Sequence, residues 1–355
     1  MLKTNFTPFG RRKQSRLSIQ QLYALGLSLF FIGAFLFATL RYMLVFDLQA
    51  PLGQNVPLLA EPLLPGVVQA QAAAPSAQQG GLPTPPAPSA DPAATAPPSP
   101  KPETTLTEDA ENGLWSYESA EFSLQIRREA PKEGVVATVA LLSWPEGALC
   151  PLQSAFAGGS YARNLHYRTS EIAKTEGALF AINGDYYGFR GDGIIVRGGA
   201  LYREKPARDM LCLFADGSLE ILPEQGADVE ALLGRGLRDS FSFGPALVVN
   251  GALPESFITD VSGANPRTAL GQKADGSLVF VVVDGRLQGF SSGLNIRDLA
   301  AYMQSLGCVT AYNLDGGMTS CMVFNGQTIS RPCGAGNRER PLSDILLVKS
   351  PLIQP

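Results

Sequence analysis

RTALGQKADGSLVFVVVDG, residues 267–285, decides the fold class. Residues 277–283 are a β-branched and aromatic run too short for a helix, and an Asp-Gly pair closes each end. Asp-Gly and Asn-Gly tolerate positive φ and form the tight turns that match strand twist. Besides Asp275-Gly276 and Asp284-Gly285, such pairs recur at Asp216-Gly217, Asn250-Gly251 and Asn325-Gly326, each beside a β-prone run. Strands are therefore expected at 135–142, 211–215, 218–222, 246–249, 277–283 and 322–324.

Two helices interrupt this pattern. Asn295 caps IRDLAAYMQSL, with Asp298 three residues on. Ile296, Leu299, Ala300, Met303 and Leu306 share one face, and Gly307 supplies a left-handed stop. A second helix over 168–176 precedes GALFAING, a buried strand ending in a turn. Helices mixed with hairpins indicate α+β: a single mixed α/β globular domain with a hairpin-rich sheet, not a doubly wound parallel sheet.

Outward from this core the composition changes. Residues 112–355 form the globular domain, and residues 41–111 are a Pro/Ala-rich linker that favours an extended spacer. Residues 22–40, LYALGLSLFFIGAFLFATL, carry no charge and approach the ~30 Å hydrocarbon thickness. This apolar stretch is long for a cleaved signal peptide, so it reads as a transmembrane signal-anchor. Residues 1–21 hold Lys3, Arg11, Arg12, Lys13 and Arg16, which makes them a basic cytoplasmic tail. The chain is thus expected to be single-pass, with its C-terminal domain extracytoplasmic.

Six of the 28 basic residues precede Asp47, the first acid, leaving 22 basic against 32 acidic residues in the remainder. That balance argues against nucleic acid as a partner. One histidine, His166, excludes multi-histidine metal sites and reads as a packing residue. The five cysteines have no zinc spacing; Cys321 and Cys333 offer a disulfide, against the alternative of buried free thiols. Asp185, Asp192 and Asp315 offer carboxylates to a divalent cation, but no EF-hand-like spacing supports one, and no cofactor is expected.

Three segments concentrate chemistry. AINGDYYGFRGDGIIVRGG, residues 181–199, sets Asn183, Asp185 and Asp192 among glycines, beside tyrosines whose flat faces suit sugars; an Asn-Gly hairpin is the plainer alternative. AYNLDGGMTSCMVF, residues 311–324, runs from a strand into Asp315-Gly316-Gly317, where backbone N–H groups can meet an anion or simply form a turn. NPRTALGQKADG, residues 265–276, places Arg267 where it can grip phosphate or make a surface ion pair.

In order, ALFAINGDYY (178–187), FGPALVVNG (243–251), PRTALG (266–271) and SLGCVTAYNLDGGMTS (305–320) resemble the serial motifs of the phosphodiester glycosidase family. That family's uncovering-enzyme-like domains remove N-acetylglucosamine from a phosphodiester. The resemblance carries over Asn183 and Gly184, Gly244 and Pro245, Arg267 and Thr268, and Asn313, Asp315, Gly316, Gly317 and Ser320. Met318 stands where the family usually has a third glycine, and Asp185 lies at a position the family varies, so its catalytic role rests on its chemistry alone.

The resemblance implies hydrolysis of the bond between an anomeric carbon and a phosphodiester oxygen. Asp315, Asp185 and Arg267 are the expected catalytic residues. Arg267 and the Gly316 and Gly317 amides would hold the phosphate, while Asp315, with Asp185, stabilises an oxocarbenium-like centre or activates water. Asn183, Gly184, Gly244, Thr268, Asn313 and Ser320 complete the substrate-binding set. The partner is a phosphorylated glycan or sugar 1-phosphodiester of an envelope or host. The alternative is a non-catalytic phosphoglycan-binding or exopolysaccharide-assembly module.

Overall fold

The computed structural model describes residues 104–259 and 261–352. The expected tail, anchor and most of the linker lie outside them. Among the described residues no helix is long and apolar enough to cross a membrane.

The chain begins with a meander of β1 (Thr105–Asp109), β2 (Leu114–Glu118), β3 (Ser123–Lys132) and β4 (Val135–Ser143). β1 falls within the stretch read as linker, so regular structure starts before residue 112. Next come β5 (Leu152–Phe156), α1 (Thr169–Thr175) and β6 (Ala178–Asn183). A hairpin, β7 (Gly193–Arg197) and β8 (Ala200–Lys205), precedes β9 (Asp209–Phe214), β10 (Leu219–Pro223), α2 (Val229–Gly234) and β11 (Leu237–Phe241). Then follow β12 (Ala246–Val248), β13 (Arg267–Lys273), β14 (Leu278–Val283), α3 (Ile296–Ser305) and β15 (Cys308–Leu314). The last strands are β16 (Met322–Phe324), β17 (Gln327–Thr328) and β18 (Asp344–Lys349).

Two sheets dominate: an eight-stranded one ordered β1-β2-β3-β4-β14-β13-β15-β12 and a five-stranded one ordered β17-β16-β6-β18-β5. They face each other across one core, in which Ile126, Leu142, Phe280, Val282 and Leu270 meet Phe180, Ile182, Met322 and Leu346. The rings of Phe180 and Phe280 cross edge to face at 5.1 Å. α3 covers the outer face of the large sheet through Leu299, Ala300 and Met303, which pack with Val279, Val281 and Ala269. α1 covers the smaller sheet through Ile172 and Ala173.

This arrangement explains the apolar run that opened the reading. β14 is buried at every position because its alternate residues serve two cores, so it shows no polar alternation despite being antiparallel. α3 forms as expected: the Asn295 side chain accepts from the Asp298 amide at 2.8 Å, and Gly307 adopts φ +87°. The α+β expectation needs correction toward sheet. The three α-helices span only six to ten residues each, and every strand pair among the described residues is antiparallel. Asp275-Gly276, Asp216-Gly217 and Asn325-Gly326 are hairpin turns, but Asp284-Gly285 is not. A Cβ on Gly285 would lie 2.7 Å from the Pro266 nitrogen, so glycine is required there by close packing. All five cysteines are free thiols, four of them buried.

Because Phe280 joins the two sheets, Phe280→Ala should destabilise the full-length chain by about 3–5 kcal/mol in chemical denaturation. A loss under about 1 kcal/mol would mean that the sheets do not share this core.

Candidate active site

Strand ends from both sheets converge on one cavity of about 710 Å³. β15 delivers Asp315, Gly316 and Gly317; β6 delivers Gly184, Asp185 and Tyr186; β11 is followed by Ser242 and Phe243; β13 starts at Arg267. Arg190, Arg208, Arg267, Arg286 and Arg340 line the cavity, with Tyr186, Phe243 and Asp315.

Asn183 builds the junction beneath it. Its Nδ2 donates to the Asp315 carbonyl at 2.6 Å, and its Oδ1 accepts from the Thr268 hydroxyl at 2.7 Å and the Cys321 amide at 3.1 Å. The side chain is fully buried, so Asn183 and Thr268 hold the loop and do not line the cavity. Asn313 acts similarly: its Nδ2 donates to the Gly244 carbonyl at 2.7 Å, just before the cis Gly244-Pro245 bond. Among the described residues, Asn313 Oδ1 and the buried Ser320 hydroxyl have no partner. A Cβ on Gly184 would lie 2.6 Å from Asp344 Oδ1, so its glycine serves packing.

Four expected site groups bond within the protein itself. Asp185 Oδ1 accepts from the Tyr186 amide at 2.6 Å and Oδ2 from the Ser242 amide at 2.7 Å. It is buried, does not line the cavity, and braces these two amides. The Gly316 amide donates to its neighbour's Asp315 Oδ1 at 2.8 Å, and the Gly317 amide donates to the Pro266 carbonyl at 2.9 Å. Neither remains to cradle a phosphate. Arg267 donates from Nε to Leu294 O at 3.0 Å, and from Nη2 to Val261 O at 2.8 Å and Gly263 O at 2.7 Å. Burial, aided by nearby Arg286, pushes Arg267 down to about 10, which leaves it cationic at neutral pH as a clamp in the cavity wall.

Of the two carboxylates expected to be catalytic, Asp315 lines the cavity, which Asp192 and Asp209 also border. Burial pushes Asp315 up to about 6, against the pull of Arg340, whose Nη2 lies 3.0 Å from Oδ2. Arg340 is the residue the sequence reading missed, since nothing in NRERPLSD marks its approach to residue 315. Arg208, held at 2.9 Å by Asp192, and Arg286, on Asn265 at 2.6 Å, were missed for the same reason. Of the two tyrosines expected to face a sugar, Tyr186 lines the cavity and Tyr187 is buried with its hydroxyl on the Ser343 carbonyl; Phe243, not expected, stands at 86° to Tyr186 with centroids 6.2 Å apart, and Arg190 lies 4.7 Å over it. His166 stacks on Phe189 at 4.2 Å outside the cavity lining, as a packing residue. Among the described residues no cluster of His, Cys, Asp or Glu has a metal-binding arrangement.

Residues 176–349 match the family model described as phosphodiester glycosidase. An uncharacterized SPbeta prophage-derived protein of Bacillus subtilis, YomE, is 31% identical over 190 residues, 51% of this chain and 29% of that one. Bovine N-acetylglucosamine-1-phosphodiester alpha-N-acetylglucosaminidase is 28% identical over 183 residues, 48% of this chain and 31% of that one. The chain therefore spans less than a third of either relative. The catalytic domain of the zebrafish enzyme of that name shares the fold, with TM-score 0.53 and 21% identity over 70% of this chain and 88% of that one. A Synechocystis hypothetical protein does so with TM-score 0.53 and 14% identity, over 66% and 63% of the two chains.

If Asn183 is a brace, Asn183→Ala should cost about 2–4 kcal/mol in ligand-free denaturation, because it orphans a buried hydroxyl, an amide and a carbonyl. Unchanged stability would return Asn183 to the ligand-binding set.

Proposed function

We propose, from the match of residues 176–349 to the phosphodiester glycosidase family model, that the chain hydrolyses the bond between the anomeric carbon and the phosphate oxygen of a sugar 1-phosphodiester, releasing free sugar and a phosphate monoester. The observation that carries this reading is the union of Asp315 with five arginines and two aromatic rings around one cavity. The arginines suit a diester anion, which they can grip in a planar fork. Tyr186 and Phe243 offer the apolar faces against which a pyranose packs.

The phosphodiester is already a good leaving group, so its departure needs charge neutralisation more than protonation. Arg208, Arg286 and Arg340 are placed to supply that neutralisation. Asp315 then acts as a carboxylate, stabilising positive charge at the anomeric carbon or drawing a proton from the attacking water. N-Acetylglucosamine is the sugar to test first, given the names of the relatives. The uncharged run at 22–40 and the Pro-rich spacer support an anchored, extracytoplasmic location with an envelope or host glycan as substrate.

Incubated with the methyl phosphodiester of N-acetylglucosamine 1-phosphate, the full-length protein should release free sugar. Asp315→Asn should lower kcat/KM by about 100-fold or more, and turnover within a few-fold of wild type would sink the assignment. Asp315 must be ionised, so kcat/KM should rise with pH through about 6. Arg340→Gln removes the charge that favours ionisation and should move that limb to higher pH.

A further inference from the structure

The candidate active site does not stand alone on the surface. A second cavity, of about 580 Å³, is lined by Arg128, Arg168, Arg331 and Arg338 with Trp115 and Phe290. Between the two lies a depression of about 510 Å³ formed largely by residues 286–292. Arg286 lines both the active-site cavity and this depression, and Phe290 lines both the depression and the second cavity. The three hollows therefore adjoin one another, with Arg286 and Phe290 as the shared walls.

Two separate segments cross the divide. Asp284 lines the second cavity and Arg286 the first; Arg338 lines the second and Arg340 the first. Two residues of extended chain reach at most about 7 Å, so the backbone at these two points runs close to both cavities. Arg128 lies 5.2 Å over Trp115 and Arg331 lies 4.1 Å over Phe290, which holds the guanidinium planes on aromatic faces. Arg128, Arg331 and Arg338 make no ion pair among the described residues. Of the two acids in this cavity, Glu339 is occupied by the Ser170 amide and the Thr328 hydroxyl, and Asp284 accepts from the Arg331 amide. Arg168 pairs with Glu171, which leaves three guanidinium groups, unpaired among the described residues, facing two carboxylates, a net positive cavity suited to an anion.

We propose that the cavity of Arg128, Arg331 and Arg338 binds a second phosphodiester of the same glycan chain, so that the substrate is a polymer with phosphodiesters in its repeat. This deepens the glycosidase reading and rests on it. The primary cavity takes one diester, the groove carries the intervening sugar past Arg286 and Phe290, and the next diester falls among the second set of guanidinium groups. A monomeric diester would leave that set unused.

The test compares three probes on the full-length chain: the methyl diester of N-acetylglucosamine 1-phosphate, a short oligomer of N-acetylglucosamine joined through 1-phosphodiesters, and a diester extended by an uncharged disaccharide. The oligomer should exceed the methyl diester in kcat/KM by about tenfold, and Arg331→Gln with Arg338→Gln should erase that advantage while leaving the methyl diester within about twofold. An oligomer no better than the methyl diester, an equal loss on both, or an equal gain from the uncharged extension would each overturn the proposal. If no probe is cleaved, the hydrolase reading fails, and the second site is judged by binding of a fluorescent oligomer. Weaker, less salt-dependent binding by the double variant would support the site, and unchanged binding would refute it.

Discussion

One buried carboxamide sets the geometry on which the rest of the site depends. Apolar packing between the two sheets is non-directional, so contacts such as Phe180 against Phe280 hold the sheets together without fixing how their ends align. Asn183 supplies the missing direction. Its amide reaches the carbonyl of Asp315, while the Asp315 amide returns a bond to the Gly184 carbonyl at 3.2 Å. The end of β6 and the end of β15 are thereby joined in register. Burying such a group is costly unless its bonds are made, so the same network that places Asp315 also discourages alternative placements.

A second layer of buried charge aims the aromatic wall. Asp344 accepts from the Asp185 amide at 2.8 Å and from Arg197 Nε at 3.0 Å, and Arg197 reaches Asp185 at 3.9 Å. Burial drives Asp344 up to about 6 even with Arg197 beside it. Asp185 in turn binds the amides of Tyr186 and Ser242, the backbone points from which the Tyr186 and Phe243 rings project. The carboxylate nearest in sequence to the tyrosines is therefore consumed in positioning them. Of the two carboxylates expected to act, Asp315 lines the cavity, an arrangement suited to a leaving group that departs as a stable anion and needs no separate acid.

This division of labour marks where sequence reading succeeds. Local signals carried the hairpins and α3, because an Asn cap, a five-residue apolar face and a positive-φ glycine act within a few residues. Asp284-Gly285 misled because its conformation is set by tertiary neighbours, Pro266, Gly293 and Arg331, that no local pattern reveals. Sheet content was underweighted not at β14 or β6, which the sequence marks as strands, but at β3, β5 and β18, which no Asp-Gly or Asn-Gly turn announces. The motifs converge on one cavity, where several of the groups they supply are already bonded within the protein. A sequence displays the donors of Arg267, Gly316 and Gly317, whereas only the fold shows the carbonyls and carboxylate that occupy them. Arg340 was invisible for the converse reason: its partner is reached only after β18 docks between β6 and β5.

Net charge was the least informative global signal. An excess of acidic residues beyond the N-terminal tail argues against an anionic partner if charge is spread evenly, but here it is not. Glu108, Glu111, Glu133, Glu204 and Glu255 are exposed and line none of the three hollows, while the arginines gather along the groove. At physiological ionic strength exposed charges are screened beyond roughly 8 Å, so acids elsewhere on the surface do little to cancel the field inside a cavity. Concave walls of low dielectric concentrate that field further. The acidic exterior limits indiscriminate attraction to other anions, and the arginine-lined groove remains attractive at short range. An anion is then selected by shape and spacing once it has entered, not by the protein's overall charge.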